Sequence, residues 1–257
     1  MTEHHFATLR PVSLYVEIGR GSATVHAIDT TESRVEVTGR DADAVRVEQD
    51  GDELIVVAPR QRTGFLTGSD TALHFVITVP SRSSLAVKSG SADLRAHGSY
   101  DTCQVRCGSG DIRVTHAEQE LRIKSGSGDV AIIRATSALS VSTGSGDIEI
   151  GASQSRTVVK TGSGGVTVTE SGDDVTLSTG SGDLSIATAR RGRVTVKGAS
   201  SDVRIGVPAG LPVWTDLSSV TGRIHSGITG VGQPEEGADH LEVRATTVSG
   251  DITLSPV

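Results

Sequence analysis

Aliphatic residues alternate with polar ones in short runs from Leu85 to Ile205, and the paired runs return on a fixed step. Between each pair lies a near-constant phrase: Ser-Gly-Ser-Ala-Asp ending at Asp93, Cys-Gly-Ser-Gly-Asp at Asp111, and Ser-Gly-Ser-Gly-Asp at Asp129. Thr-Gly-Ser-Gly-Asp ends at Asp147 and Asp183, Gly165 replaces the Asp in the copy between them, and Gly-Ala-Ser-Ser-Asp closes at Asp202. The step is 18 residues five times and then 19. One place after the Asp stand Leu94, Ile112, Val130, Ile148, Val166, Leu184 and Val203. Aliphatic columns also stand three places after it and six and eight places before it. A two-residue period rich in β-branched side chains predicts half-buried strands. The Gly-Ser-Gly phrase between them predicts a tight turn, since Gly reaches positive φ and Ser and Asp bond nearby amides.

A fixed period of this size predicts stacked repeats. The expected fold is all-β, a single-stranded parallel β-helix (β-solenoid) of 18-residue coils. Coils about 4.8 Å apart would turn the aliphatic columns into core ladders, here Ile112, Val130, Ile148, Val166 and Leu184, and seven coils would stack to about 30 Å. A three-sided hexapeptide helix needs another aliphatic column six places after Leu94. That column reads Tyr100, Glu118, Thr136, Gln154, Gly172 and Arg190, so a flattened coil with two main faces is expected.

One continuous domain is expected, in three parts. Residues 1–84 form an N-terminal β cap with imperfect first coils, 85–205 the regular solenoid, and 206–257 degenerate coils and a cap. Val16, Ile18, Val25 and Ala27 match the four columns around Gly-Arg-Gly-Ser. Asp50-Gly51 reads as a hairpin tip, 59–71 as a loop and Leu73–Val79 as a strand. Near the other end Trp214 is expected to plug the stack, 227–240 reads as a Gly-rich loop, and Asp251 takes the Asp place in a last copy.

Composition narrows the classes. The chain is 35% hydrophobic but only 2% aromatic, with 31 Gly among 257 residues. A layered core of small branched residues does without the aromatics on which compact cores lean. A net charge of −7 disfavours nucleic acid. No apolar run reaches membrane-span length, and Met1–Val12 is polar. Cys103 and Cys107, four apart on one strand, are too far separated for a disulfide and read as reduced thiols of a cytoplasmic protein.

Candidate chemistry lies in the columns. Asp93, Asp111, Asp129 and Asp147 are calcium candidates because stacked carboxylates suit that ion. The calcium-binding nonapeptide roll, however, separates Gly from Asp by one residue and repeats twice per coil, whereas here Asp follows directly and once. Each Asp is therefore read as an acceptor of backbone amides that holds its turn. Ser91, Ser109, Ser127, Ser145, Ser163 and Ser181 read as a structural ladder of turn hydroxyls, with no His in a matching column to act as base. Lys88, Arg106, Lys124, Ser142, Lys160, Ser178 and Lys197 form an outward column. It is read as a solvated face, or as a stripe for an anionic polymer or partner. The eight His are scattered without metal-ligand spacing, and phosphate-loop motifs are absent.

The alternating N-terminal strands followed by Ser-Gly-Ser-Gly-Asp-hydrophobic turns over Ser89–Leu184 resemble the bacterial β-strand-repeat proteins grouped as candidate adhesins, a family common in actinobacteria. The resemblance implies a parallel β-helix with no established catalytic residues. The expected function is thus a non-enzymatic structural or interaction module, adhesin-like. It would have no catalytic residues, cofactor or metal, would engage a protein partner or its own copies, and would not insert in membranes. Two alternatives stand beside it. One is a carbohydrate-binding or carbohydrate-active β-helix, which wants clustered carboxylates and aromatics. The other is a calcium-stabilised rod.

Overall fold

The structure, a computed structural model, describes residues 1–59, 72–228 and 240–257. The loops expected at 59–71 and 227–240 lie mostly outside the described residues. The fold is an all-β parallel β-solenoid, organised as two compact units, Met1–Asp129 and Val130–Val257. The one helical element among the described residues is a 3-10 turn at Ala42–Ala44.

The first unit contains β1 (Thr2–Ala7), β2 (Ser13–Ile28), β3 (Glu32–Thr38), β4 (Arg46–Asp50), β5 (Glu53–Val57), β6 (Leu73–Pro80), β7 (Ser84–Cys107) and β8 (Ile112–Ser125). β2 alone supplies both strands of the first coil and pairs in parallel with β7. Leu14, Val16, Ala23 and Val25 stand opposite Leu85, Val87, Leu94 and Ala96. The expected set of Val16, Ile18, Val25 and Ala27 is therefore displaced by two residues. A two-residue slip keeps every side chain on its own face, so alternation alone does not fix it. β7 passes the register on to β8, with Leu94 opposite Ile112 and Val105 opposite Ile123.

On its other edge β2 meets β5 and β6, both parallel. Antiparallel strands then close the unit: β3 on β6, β1 on β3 and β4 on β5. Val35, Val37, Phe75 and Ile77 are fully buried there. Tyr100, assigned by sequence to a polar column, is also fully buried, and its hydroxyl donates to the carbonyl of Val25 at 2.9 Å. An aromatic hydroxyl with a partner costs little to bury.

The second unit starts with β9 (Val130–Ala135), β10 (Ala138–Ser145), β11 (Ile148–Ser153), β12 (Thr157–Ser163) and β13 (Val166–Ser171). It continues with β14 (Val175–Ser181), β15 (Leu184–Ala189), β16 (Gly192–Ser200) and β17 (Val203–Val207). It ends with β18 (Val213–Ser219), β19 (Ile224–Ser226), β20 (Leu241–Thr247) and β21 (Ile252–Pro256). Two parallel ladders run through it. One reads β10, β12, β14, β16, β20, β18, and the other β9, β11, β13, β15, β17, β21, β19. Val130, Ile148, Val166, Leu184, Val203 and Ile252 follow one another in register, each at most 1% exposed. Burying each such side chain contributes about 1.5–3 kcal/mol.

Stack order departs from chain order at the end. The chain's last coil, β20 and β21, lies between the coil of β16 and β17 and the coil of β18 and β19.

A third buried column exists, one residue before the polar column that sequence reading tested. It holds Ala135, Ser153, Ser171 and Ala189, each at most 1% exposed. The corner there is tight, so it takes Ala and Ser rather than aliphatic side chains.

Candidate functional site

The repeated phrase joins each coil to the next. The amide of Asp111 donates to Asp93 Oδ1 at 3.1 Å, while the Asp111 carbonyl accepts from the amide of Leu94 at 2.8 Å. The amide of Asp129 bonds Asp111 Oδ1 at 3.0 Å, and that of Gly165 bonds Asp147 Oδ1 at 2.7 Å. Asp251 on Asp202 and Arg223 on Asp251 repeat the contact at 2.9 and 2.8 Å. The carboxylate thus reaches across to the following coil. Sequence reading had it closing its own turn. A charged acceptor makes these stronger than neutral amide bonds. Of the four calcium candidates, Asp93, Asp111 and Asp147 are engaged in this way. No group of three His, Cys, Asp or Glu that could hold a metal ion occurs among the described residues.

The turn itself is stapled by the residue that opens the phrase. Thr143 Oγ1 donates to the carbonyl of Ser145 at 2.8 Å, Thr179 to that of Ser181 at 3.1 Å, and Ser125 to that of Ser127 at 2.9 Å. Ser91, Ser109, Ser163 and Ser181 are exposed, and Ser127 and Ser145 half-buried. Ser145, Ser163 and Ser181 pair along the backbone ladder. The signal for the staple was present in the sequence as an opener that is Ser or Thr in five of the seven copies. Cys107 fills the same role: its Sγ accepts the Gly110 amide at 3.1 Å. Glycine is required after the opener Thr179, because a Cβ on Gly180 would stand 2.7 Å from the carbonyl oxygen of Gly162. Gly182 adds a φ of +132°, which other residues rarely adopt.

Both thiols are free and buried. Burial pushes the Cys103 thiol up to about 12, so it is protonated and inert at neutral pH.

Distant sequence positions meet in the first unit in ways the spacing hides. The rings of His26 and His97 stack at 5.2 Å, and burial, then the neighbouring imidazole, lowers the His26 pKa. Ser22 contacts His74 Nδ1 at 2.9 Å and Ser99 contacts His116 Nδ1 at 3.1 Å, so Ser–His contacts do occur. In a nucleophilic triad the acid orients the imidazole. Here the Ser99 hydroxyl instead donates to Glu118 at 2.8 Å, leaving the imidazole to act as donor.

The outward face of β2, β7 and β8 carries the cationic column. Glu17 pairs with Lys88 across the β2–β7 ladder, with Lys88 Nζ 2.8 Å from Glu17 Oε1. Arg106 stands opposite Lys124, and both are exposed. Neither has an ion pair among the described residues. In the second unit the column reads Ser142, Lys160, Ser178, Lys197 in register. Trp214, expected as a plug, is 52% exposed on the outward face of β18, with the Arg244 guanidinium 5.3 Å from its ring centre. Its neighbours Val213 and Leu217 take the inward positions of that strand, which turns the indole out.

The Toastrack DUF4097 family model matches residues 15–255. The chain belongs to the Toastrack DUF4097 family. Its fold is similar to that of a candidate adhesin from Parabacteroides merdae ATCC 43184, at 13% identity and a TM-score of 0.54, covering 100% of this chain and 95% of that one. A candidate adhesin from Bacteroides fragilis NCTC 9343 is similar at 12% identity and a TM-score of 0.50, covering 100% and 96%. Likeness at this identity speaks to fold alone. No curated protein matches the chain. Among the described residues no helix is long and apolar enough to cross a membrane.

Proposed function

We propose that this Toastrack protein is a non-enzymatic, adhesin-like interaction module that presents rigid sheet faces to a partner. The observation that carries the reading is the division of labour within a coil. Opener hydroxyls and Asp carboxylates are occupied in holding turns and neighbouring coils. Exposed groups without such a task, Arg106 and Lys124 foremost, lie on a flat parallel sheet face. A preorganised face of this kind binds with little ordering cost. The test combines affinity capture from the native host with light scattering across a concentration series. Retention of a defined partner, or reversible self-association, is expected. A strict monomer that retains nothing overturns the reading.

A further inference from the structure

We propose that the outward face of β2, β7 and β8 is a binding site for a linear acidic saccharide, its carboxylates on Arg106 and Lys124 and a sugar ring in the adjoining hollow. This rests on the interaction reading above and names the partner's chemistry. Three observations converge on it.

The first is a within-molecule contrast. In the second unit the equivalent column alternates Ser142, Lys160, Ser178, Lys197, so no two cations adjoin. In the first unit Arg106 stands directly opposite Lys124, while Lys88, at the matching place two residues before Gly90, is paired with Glu17. Like charges one coil apart repel by about 1 kcal/mol in water. The alternation that would relieve this is available and unused. Arg95 and Arg113 also adjoin, but each follows an Asp, Asp93 or Asp111, by two residues, the offset at which Arg204 bridges Asp202. Residues two before and two after Arg106 are Gln104 and Gly108, which supply no acid.

The second is shape. On the same face, about 7 Å along the strands, the side chains shrink to Ser84, Ala86 and Thr102, leaving a hollow of about 250 Å³. Tyr15, Gln104 and Glu53 rim it. The scale is that of one sugar ring rather than of a drug-sized ligand.

The third is the chemistry of the lining. Hydroxyls of Ser84 and Thr102, the Gln104 amide and the Glu53 carboxylate offer donors and acceptors suited to a polyol, and the Tyr15 ring offers an apolar face. Glu53 at the rim repels a densely charged phosphate chain but accepts from sugar hydroxyls. Charge spaced along a hydroxyl-rich chain is what the face matches.

Calorimetry of the full chain at low salt decides it, with tetragalacturonate, neutral maltotetraose and tripolyphosphate as probes. Tetragalacturonate is expected to bind, and the other two to bind at least about tenfold more weakly. Arg106→Gln with Lys124→Gln, and separately Tyr15→Ala, are expected to weaken tetragalacturonate about tenfold or more. Lys160→Gln with Lys197→Gln should leave it unchanged, with circular dichroism confirming the fold of each variant. Absence of tetragalacturonate binding, equal binding of tripolyphosphate or maltotetraose, or equal loss in the Lys160/Lys197 control overturns the proposal. If that happens while affinity capture still retains a partner, the saccharide inference falls and the interaction reading stands. If nothing is retained either, both fall.

Discussion

Ile148, Ile252 and Ile224 occupy one column of the second unit, yet they live in different surroundings. Ile148 lies between Val130 and Val166, Ile252 between Val203 and Ile224, and both are fully buried. Ile224 has a ladder neighbour on one side and is 44% exposed. Two other columns of its coil follow suit, with Thr215 and Ser226 in columns that hold Val243 and Leu254 one coil inward. A column residue gains full burial only when coils cover it on both sides, so the better-patterned coil at the chain's end lies inside and the degraded one at the rim. The first unit handles its edge differently. Its antiparallel closing strands expose Glu3, His5, Arg46 and Glu48, and charge along an edge discourages further strand addition.

The largest expected effect separates identical substitutions at the two depths. Ile252→Ala should cost about 2–5 kcal/mol, because both neighbours hold the resulting cavity open. Ile224→Ala should cost no more than about 1 kcal/mol, since water already covers part of the side chain. Urea unfolding at unchanged slope measures both. Equal losses would mean that the coil of β18 and β19 is not the rim.

That contrast also marks what the sequence could reveal. Exact periodicity made the columns legible, because each period-18 residue meets its equivalent in a parallel ladder. The family resemblance and the parallel β-solenoid follow from the same regularity. Stack order was not legible: the phrase around Asp251 looks like any other copy, and nothing local records that β20 and β21 insert between earlier coils. Nor was the direction of the Asp bonds, since a side chain able to close its own turn is also long enough to reach the next coil. Alternation alone could not set the first coil's register, and the corner column of Ala and Ser carried no hydrophobic signal. The cationic face was visible as a column. The hollow beside it was not, because it joins Tyr15 and Glu53 to Thr102 and Gln104 across pairings distant in the chain.

A smaller effect sharpens the comparison at the turn. Thr143→Ala removes a buried hydroxyl that donates to Ser145 and should cost about 1 kcal/mol, whereas Thr143→Ser should be nearly silent. Ser219 holds the matching place in the rim coil, accepting the Gly222 amide at 2.9 Å. Water can replace its bonds at the rim, so Ser219→Ala should cost about half as much or less. Thermal melts of the three variants give the order. A larger loss at Ser219 would assign the rim coil a stability of its own.

A last effect, of opposite sign, concerns the copy that lacks its acid. Gly165 accepts nothing from the amide of Asp183, which in other coils would bond a carboxylate. A Cβ at Gly165 would meet Asp147 Oδ1 at 3.5 Å and the Asp183 carbonyl oxygen at 3.7 Å, both ordinary contacts. Gly165→Asn supplies a neutral acceptor and stiffens the unfolded chain, so it should stabilise by about 1 kcal/mol. Gly165→Asp adds the same bond but also repulsion of about 1 kcal/mol at low salt from each of the two flanking carboxylates, Asp147 and Asp183. Its gain should therefore trail that of Asn and approach it as salt screens the column. At the rim, Arg223→Asn should change stability by no more than about 0.5 kcal/mol, because no further coil among the described residues offers it an amide. A gain there equal to that at Gly165 would show that the substitution acts through the unfolded chain rather than through the bond between coils.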